Sequence, residues 1–568
     1  MLDISQKPYS LSSEQQAKVH EIVGKMSRSA KIGQLFFVIG QDGEQVDLAA
    51  FIKKYQPGGM MFRPTPAAKL TSEITTLQQV SKVPLFIGAN LESGGNGIVN
   101  EGTWVGNPLG IAATDDVDSA RTLGQIAGFE AAQVGCNMSF APIVDIDQNF
   151  RNPITNTRTY GSDVERILAM AQAQGEALLE NRVIPVIKHF PGDGVDERDQ
   201  HLVASVNSLS AEDWLASYGK IYQTFIDEGI STIMIGHILQ PAWERALCPG
   251  IKDSELLPAS VSPLLINGLL REKLGFNGLA ITDATPMIGY NVTMKRADLL
   301  PATINAGVDM LLFNKNIDED YRFVEEALAA GVISEARLDE AVTRIIATKM
   351  AQGLYKDTTA NGIPGGLEAI DAKQAQHQEQ VDLIAKKAVT LVKDREHLLP
   401  VTPERYPRIR LVVLGDSSDG GFKEGGQVTE GFVKGLADLG FTVSVYDRSR
   451  LDFHEIFEEG VADLQEKFDL ALYVANVETA SNQTTTRLDW IHLMAADAPW
   501  FLRSLPTVFV STANPYHLFD LPSVSTFINA YTGNPATIAA ILRKLTGQEA
   551  FSGKSPVDPF CGDLLAKY

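Results

Sequence analysis

Two residues of a polar loop, Asp199 and His201, have the types and the spacing of an acid/base pair. They stand in the stretch KHFPGDGVDERDQH, which glycines and a proline keep out of regular structure. On an extended backbone, side chains two residues apart point to one face, so the carboxylate would orient the imidazole and stabilise its positive charge. We interpret His201 as a candidate general acid/base and Asp199 as its partner. A solvated charged loop is the alternative for this pair taken alone.

Asp283 is a candidate nucleophile because it ends the largely apolar run GLAITDATPM. A carboxylate at the end of a buried strand costs free energy unless cations and hydrogen-bond donors surround it. Lys188, Arg158 and the histidines of the chain would supply such groups. A carboxylate of this kind suits a nucleophile that forms a covalent intermediate. A helix N-cap is the ordinary alternative for an aspartate at this position.

Eight apolar runs alternate with helical patterns between about residues 30 and 350. They are IGQLFFVIG, GGMMF, PLFIGAN, MSFAPIVD, IPVIKHF, STIMIGHI, GLAITDA and DMLLFN. Nearly continuous Val, Ile, Leu, Phe and Met are typical of parallel strands that are buried on both faces. Eight such repeats predict a TIM barrel. An open doubly wound sheet is the alternative, because periodicity does not reveal closure.

Polar residues collect at the ends of these runs, where the catalytic groups of a TIM barrel lie. They are Asn90 and Glu92 after the third run, Asp145 after the fourth, Lys188 and His189 in the fifth, His237 after the sixth, and Asp283 in the seventh. We therefore expect a single site at this end of the barrel.

These segments together resemble glycoside hydrolase family 3, and within it the β-N-acetylglucosaminidase branch. The loop KHFPGDGVDERDQH is similar to the branch motif K-H-F-P-G-H-G-x-T-x-x-D-S-H. GLAITDATPM is similar to the nucleophile segment, in which a methionine, here Met287, follows the aspartate by four residues. NPITNTRTYG resembles N-P-x-x-x-x-R-(S/T)-(F/Y)-G, with Arg158 at the arginine position, and NLESGG resembles D-x-E-G-G. The resemblance covers nearly the whole chain.

The resemblance implies a retaining exo-β-glycosidase that releases terminal β-N-acetylglucosamine from small glycans through a covalent glycosyl-enzyme. Asp283 would be the nucleophile, and His201 with Asp199 the acid/base dyad. The sugar-binding residues that it implies are Arg158, Lys188, His189, His237, Asn90, Glu92 and Met287. It implies no metal and no organic cofactor, and a small carbohydrate as the binding partner.

The chain departs from the family pattern at a few positions. Asp193 stands at the motif histidine, Asp196 at the motif threonine, and Gln200 at the serine of D-S-H. Asn90 replaces the aspartate of D-x-E-G-G, and Ser93 is an extra residue before the glycines. Three alternatives on the same scaffold stay open: a β-N-acetylglucosaminide phosphorylase, a β-glucosidase, and a non-catalytic sugar-binding protein.

The choice between water and phosphate depends on the charge of the loop. A histidine acid/base repels phosphate less than a glutamate would, which favours phosphorolysis. The loop also carries four carboxylates, which would repel a dianion if they face the pocket; they are Asp193, Asp196, Glu197 and Asp199. On this basis we expect water to be the main acceptor.

The composition of the chain indicates which binding partners and which cellular compartment to expect. Asp and Glu outnumber Lys and Arg by 70 to 49, and a net charge of −21 disfavours nucleic acids and anionic membranes. The three cysteines, Cys136, Cys248 and Cys561, form no CxxC pair, which argues against a zinc site and fits a reducing compartment. The N-terminus lacks the pattern of a signal peptide, and no apolar run is long enough to span a membrane. We expect a cytoplasmic protein, as a monomer or a homodimer.

A length of 568 residues predicts more than one domain. We assign residues 1–355 to the catalytic barrel, 356–385 to a polar linker and a connecting helix, and 386–568 to a smaller α/β layered domain. The strands expected in the last are IRLVVLG, FTVSVYD, LALYVAN, PTVFVST and STFINAY. The Gly-rich LGDSSDGGFKEGG matches neither the Rossmann nor the P-loop spacing, which argues against nucleotide binding. Because this domain has no catalytic motif, we predict that it has a structural role, with glycan binding and an oligomer interface as the alternatives.

Overall fold

A computed structural model of the chain describes residues 2–40, 47–355, 365–416, 427–450, 452–478, 481–482 and 487–568. The chain divides into two compact units. Unit 1 consists of Met1–Trp104, Ala120–Thr155 and Val164–His377, and unit 2 of Val105–Ser119, Asn156–Asp163 and Gln378–Tyr568. Two short stretches from the predicted barrel domain, 105–119 and 156–163, thus group with unit 2. The domain boundaries given above stay predictions.

Unit 1 contains a closed barrel of parallel strands, which confirms the predicted TIM-type fold. The strands along the chain are β1 Phe36–Ile39, β2 Gly59–Met61, β3 Phe86–Ala89, β4 Met138–Ser139, β5 Ile184–Phe190, β6 Ser205–Val206, β7 Thr232–Ile235, β8 Ile238–Leu239, β9 Leu279–Ala284 and β10 Met310–Leu312. Around the barrel the order is β1, β2, β3, β4, β5, β7, β9 and β10, and β10 pairs with β1. The short strands β6 and β8 form a separate parallel pair.

The fourth barrel strand is shorter than the run MSFAPIVD predicts. β4 covers only Met138–Ser139, and Pro142 has no N–H to donate to a ladder. Pairing with β5 resumes at one bridge between Ile143 and Lys188, next to which the Val144 N–H donates to the Lys188 carbonyl at 3.0 Å. This bridge holds the segment after Pro142 against β5 as it approaches the end of the barrel.

Helices separate most of the strands, as parallel pairing requires. They are α1 Ser13–Lys25, α2 Arg28–Gln34, α3 Leu48–Tyr55, α4 Ala67–Val80, α5 Pro108–Ala113, α6 Val117–Gln133, α7 Val164–Glu180, α8 Ala211–Trp214, α9 Lys220–Glu228, α10 Pro241–Leu247, α11 Ile288–Asn291, α12 Arg296–Ala306, α13 Ile317–Ala329, α14 Glu335–Ala351 and α15 Gly366–Ala388. Two π-helical segments, Leu215–Gly219 and Leu264–Lys273, add to them. Serine side chains cap several N-termini, for example Ser12, which accepts the Gln15 N–H in a capping box.

The interior of the barrel is filled by side chains. The ring of Phe37 is fully buried and lies edge-on against Phe140, with 5.4 Å between the ring centroids. A Cβ atom at Gly59 would lie 2.5 Å from the Phe37 ring, so only glycine fits there. Unit 1 thus has a packed core, and the strand ends are left to form a site.

Unit 2 contains one sheet in the order β11, β16, β15, β14, β12, β13. Its strands are β11 Thr390–Asp394, β12 Arg408–Leu414, β13 Thr442–Val445, β14 Leu470–Ala475, β15 Thr507–Ser511 and β16 Thr526–Asn529, and its further helices are α16 Thr429–Asp438, α17 Phe453–Phe457, α18 Val461–Lys467, α19 Pro535–Leu545 and α20 Leu564–Lys567. All pairings are parallel except that of β11 with β16.

The sequence analysis missed strand β11. TLVKD follows helix α15 after Val389, without a turn signal, and only two of its five residues are buried. The five strands that were predicted for this unit are all present. Most of the Gly-rich segment LGDSSDGGFKEGG and the linker residues 356–364 lie outside the described residues.

The described residues contain neither a membrane-spanning helix nor a cluster of metal ligands. No helix within those ranges has the length and apolarity to cross a bilayer. Over the same ranges, His, Cys, Asp and Glu form no group of three or more that could hold a metal ion. The cytoplasmic location stays a prediction.

Candidate active site

Strand β9 places Asp283 at the end of the barrel, where its side chain is 12 % exposed. The Ala284 N–H donates to Oδ1 at 2.7 Å. Oδ2 lies 3.7 Å from Nε2 of His189, and among the described residues it has no hydrogen-bond partner. Burial by itself raises the pKa of Asp283. Three histidines and the Ala284 N–H outweigh burial and lower that pKa to about 2; the histidines are His189, His201 and His237.

Asp145 holds His189 beside this carboxylate. Oδ2 of Asp145 lies 2.6 Å from Nδ1 of His189, and Oδ1 accepts the His189 backbone N–H at 3.1 Å. Both side chains are buried. The second imidazole nitrogen, Nε2, is therefore the one that faces Asp283. Asp145 was expected at a strand end, but no catalytic or sugar-binding role was predicted for it.

The two residues of the predicted dyad are in contact on the loop after β5. The backbone there is a turn and not extended as predicted, because the Leu202 and Val203 N–H groups both donate to the Asp199 carbonyl at 3.0 Å. Nδ1 of His201 lies 2.7 Å from Oδ1 of Asp199, and the His201 backbone N–H donates to the same oxygen at 2.8 Å. The Asp199 side chain is fully buried, whereas that of His201 is 20 % exposed. Within the described part of the chain, Nε2 of His201 has no hydrogen-bond partner. This nitrogen is therefore available to a ligand.

The backbone of the loop is fixed by two glycines and a buried tyrosine. Gly192 and Gly194 have φ values of 121° and 104°, which side chains rarely adopt. A Cβ atom at Gly192 would lie 2.1 Å from the Tyr218 ring. The Tyr218 hydroxyl donates to the Asp193 carbonyl at 2.6 Å. The glycines of the motif thus let the loop pass over Tyr218 and set the position of the dyad.

The Asp193 carboxyl is buried beneath the loop. It accepts hydrogen bonds from the Gly194 N–H at 2.7 Å, from Asn152 Nδ2 at 2.9 Å and from Gln200 Nε2 at 3.3 Å. Burial raises its pKa to about 7, and the charge of Asp145 adds to this. Its backbone N–H donates to Oδ1 of Asp145 at 2.8 Å. Asp193 therefore connects the loop to the Asp145–His189 pair.

Gln200 makes a second connection, to His237 on the neighbouring strand end. Oε1 of Gln200 accepts the His237 N–H at 2.8 Å. Nδ1 of His237 lies 2.9 Å from Ser260 Oγ, and Nε2 lies 3.2 Å from the Ala284 carbonyl. Burial lowers the pKa of His237 to about 4, so the ring is neutral at pH 7. The sequence analysis gave Gln200 no role.

The other predicted sugar-binding residues divide between the two units. In unit 1, Lys188 donates to Oε1 of Glu92 at 2.7 Å, and both are buried. Asn90 follows β3 and is half-buried, and Met287 is buried directly before α11. Arg158 ends the 3₁₀ turn Asn156–Arg158 in unit 2, so its place in the sugar site stays a prediction.

Comparison with known proteins identifies the family. The sequence model described as the glycosyl hydrolase family 3 N terminal domain matches residues 28–348. The chain belongs to glycoside hydrolase family 3. A family 3 relative from Cellulomonas fimi, named β-N-acetylglucosaminidase/β-glucosidase, is 43% identical over 566 residues, which are 99% of this chain and 99% of that protein. The family 3 chain is thus an enzyme of the glycoside hydrolase class that acts on O-glycosyl bonds.

Solved structures agree with this assignment. The structure named β-glucoside phosphorylase BglX bound to 2FGlc has 43% sequence identity and a TM-score of 0.92, and the match covers 98% of this chain and 99% of that one. A family 3 β-N-acetylglucosaminidase from Paenibacillus sp. str. FPU-7 has 24% identity and a TM-score of 0.75, with 94% and 99% covered, and it supports the fold alone. The predicted family and fold class are confirmed.

Proposed function

We propose that this family 3 enzyme removes a terminal β-linked sugar, N-acetylglucosamine or glucose, from the non-reducing end of a small glycoside, with retention of configuration. The observation that carries the proposal is the Asp283 carboxylate, which is ionised and nearly buried and has an Oδ2 without a hydrogen-bond partner among the described residues. Such an oxygen keeps a lone pair for attack on the anomeric carbon. The preference for N-acetylglucosamine stays a prediction.

In the proposed mechanism, Asp283 is the nucleophile and His201 is the acid/base residue of two steps. First, Oδ2 of Asp283 attacks the anomeric carbon, the bond to the leaving oxygen breaks, and His201 gives its Nε2 proton to that oxygen. Next, the neutral His201 takes a proton from water, whose oxygen attacks the same carbon and frees the Asp283 carboxylate. Each step inverts the anomeric centre, so the β configuration is retained.

The remaining polar residues of unit 1 suit a sugar with several hydroxyl groups. Lys188 and Glu92 present a buried ion pair that a hydroxyl can join as donor and acceptor. His189 would contact the sugar on the side of its Nε2, while Asp145 fixes its orientation. His237 is neutral and would line the same pocket. We assign Asn90, Met287 and Arg158 to sugar contacts on the strength of the family resemblance.

Phosphate is a second candidate acceptor, because two of the four loop carboxylates are partly offset. Burial raises the pKa of Asp193 to about 7, so about half of this carboxyl is neutral at pH 7, and Arg198 donates to Asp196 at 2.7 and 2.9 Å. Of the four, Glu197 is the exposed one. The repulsion of phosphate expected from the loop sequence is therefore reduced. The phosphorylase relative points the same way, so we propose that phosphate competes with water.

The test is product analysis on p-nitrophenyl β-glycosides of N-acetylglucosamine, glucose and xylose, with and without millimolar phosphate. We expect cleavage of the first or second substrate, a β-configured first product by NMR, and sugar 1-phosphate that increases with phosphate. An α-configured first product would contradict the two-step mechanism. Free sugar alone at every phosphate concentration would contradict only the second candidate.

A further inference from the structure

Three branched aliphatic side chains are exposed beside the acid/base residue. Val203 is 37 % exposed, Ile288 50 % and Val292 65 %. Val203 follows His201 by two residues on the loop, and Ile288 and Val292 are one helical turn apart around α11. Exposed branched aliphatics are common singly, but here three occur on two adjoining segments.

Two contacts bring these segments together. The Ile288 N–H donates to the His201 carbonyl at 2.9 Å. A Cβ atom at Gly289 would lie 2.2 Å from the Gln200 carbonyl oxygen and 2.9 Å from the carbonyl carbon of Val203. Helix α11 therefore packs directly against the loop that carries the dyad. The apolar surface of Val203, Ile288 and Val292, called here the apolar platform, lies next to the residue that would protonate the leaving oxygen.

The two segments that form the platform carry few charges, and the exposed Lys295 directly follows the second of them. Residues 202–211 and 284–294 contain no Asp, Glu, Lys or Arg. The cation that contacts α11 is Arg296, which donates to Asn291 at 2.9 Å and is paired with Asp320 at 2.6 Å. A charged aglycone would find no partner on these two segments, and a second sugar would find few hydrogen-bonding groups. Aliphatic side chains instead favour a hydrocarbon surface.

We propose that the platform is the aglycone subsite and that the leaving group of the natural substrate is an uncharged aryl or alkyl alcohol. This inference rests on the proposed function, because it takes His201 as the residue nearest to the leaving oxygen. The sugar stays on the Asp283 side, and the aglycone extends from the leaving oxygen over Ile288 and Val292. The enzyme is then a glycosidase or phosphorylase of apolar glycosides.

The test uses methyl, butyl and hexyl β-glycosides of glucose and N-acetylglucosamine, because their alcohols have nearly the same acidity. A buried methylene contributes enough to raise kcat/KM about two- to fourfold for each added carbon. The comparison substrates are the matching β-1,4-linked disaccharides. Ile288→Ser and Val292→Ser should each reduce the dependence on chain length. Val332→Ser, a change at a valine that is 57 % exposed between α13 and α14, should leave it unaltered.

Each outcome decides the proposal. A steep dependence of kcat/KM on alkyl chain length would support the proposal, provided that the two serine variants reduce this dependence and the Val332→Ser control does not. Equal kcat/KM along the alkyl series, or a disaccharide cleaved tenfold better than the hexyl glycoside, would overturn it while leaving the proposed function intact. Failure to cleave any β-glycoside would contradict the proposed function and this inference together. Thermal unfolding of each variant checks that the fold is kept.

Discussion

One substitution in the dyad removes its negative charge and keeps the two hydrogen bonds to His201. One oxygen of Asp199, Oδ1, accepts both the His201 backbone N–H and the Nδ1 proton. In Asp199→Asn the amide oxygen can take the same position, so the orientation of the ring is preserved. The variant loses a negative charge about 4 Å from the centre of the imidazolium ring. The Coulomb attraction between these two charges is about 4 kcal/mol at an effective dielectric constant of roughly 20. That energy corresponds to a factor of at most about 10³ in rate.

The assay compares leaving groups, because only a poor leaving group needs the proton. For an alkyl glycoside we expect kcat/KM to fall by about 10²- to 10³-fold in Asp199→Asn, and by 10²- to 10⁴-fold in His201→Ala. For a dinitrophenyl glycoside both losses should stay below about tenfold, since kcat/KM reports the first step. Azide should restore turnover in His201→Ala by attacking the glycosyl-enzyme. Glu197→Gln, a change at an exposed carboxylate of the same loop, is the control and should leave the leaving-group dependence intact.

Two results would refute this reasoning. Equal losses for alkyl and dinitrophenyl glycosides in His201→Ala would mean that His201 does not protonate the leaving oxygen. Full activity of Asp199→Asn on the alkyl glycoside would mean that the charge of Asp199 does not act on the imidazole. The second result would leave Asp199 with an orienting role only.

Three further predictions concern the nucleophile, the buried loop carboxyl and the sugar. Asp283→Asn should lower turnover by several orders of magnitude, and a 2-fluoro sugar should label Asp283; mass-spectrometric labelling of another carboxylate would contradict the assignment. The folded-state pKa of Asp193 is raised to about 7, so the protonated form stabilises the fold at low pH and that stability is lost as pH rises towards 7. Between pH 5 and 7 the wild type should lose roughly 2 kcal/mol relative to Asp193→Asn, and parallel denaturation curves would exclude this. N-acetylglucosaminide cleavage should exceed glucoside cleavage by at least about tenfold in kcat/KM, and a glucoside preference would reverse that prediction.

Local patterns in the sequence were enough to predict the barrel and the contact between Asp199 and His201. Buried parallel strands are nearly continuous apolar runs, so the eight runs marked the eight barrel strands. Asp199 and His201 are separated by one residue, so their contact forms within the loop, although through a turn and not through the extended backbone that was predicted. Pairs between distant segments were not predictable in this way. Asp145 and His189 are 44 residues apart, and Glu92 and Lys188 are 96 apart, so only the closed barrel brings them together.

Strand β11 could not be predicted from the sequence for a different reason. Its pairing with β16 is antiparallel and lies at the edge of the sheet, where alternate residues need not be apolar. The run TLVKD therefore carries too little hydrophobic signal to separate it from the helix before it. The fourth barrel strand was predicted too long for the opposite reason. MSFAPIVD has the apolar pattern of a strand, but it contains a proline that interrupts the hydrogen-bond ladder.

The departures of the loop from its family motif are connected in space. Asp193 replaces the motif histidine and Gln200 replaces the serine of D-S-H, and Nε2 of Gln200 donates to the Asp193 carboxyl at 3.3 Å. Gln200 stands between the two dyad residues in a turn, in which the Leu202 and Val203 N–H groups donate to the Asp199 carbonyl, and its Oε1 accepts the His237 N–H. Taken singly, an added acid in this loop suggests a more negative pocket. As a bonded pair, the two replacements instead connect the dyad loop to the Asp145–His189 pair and to His237.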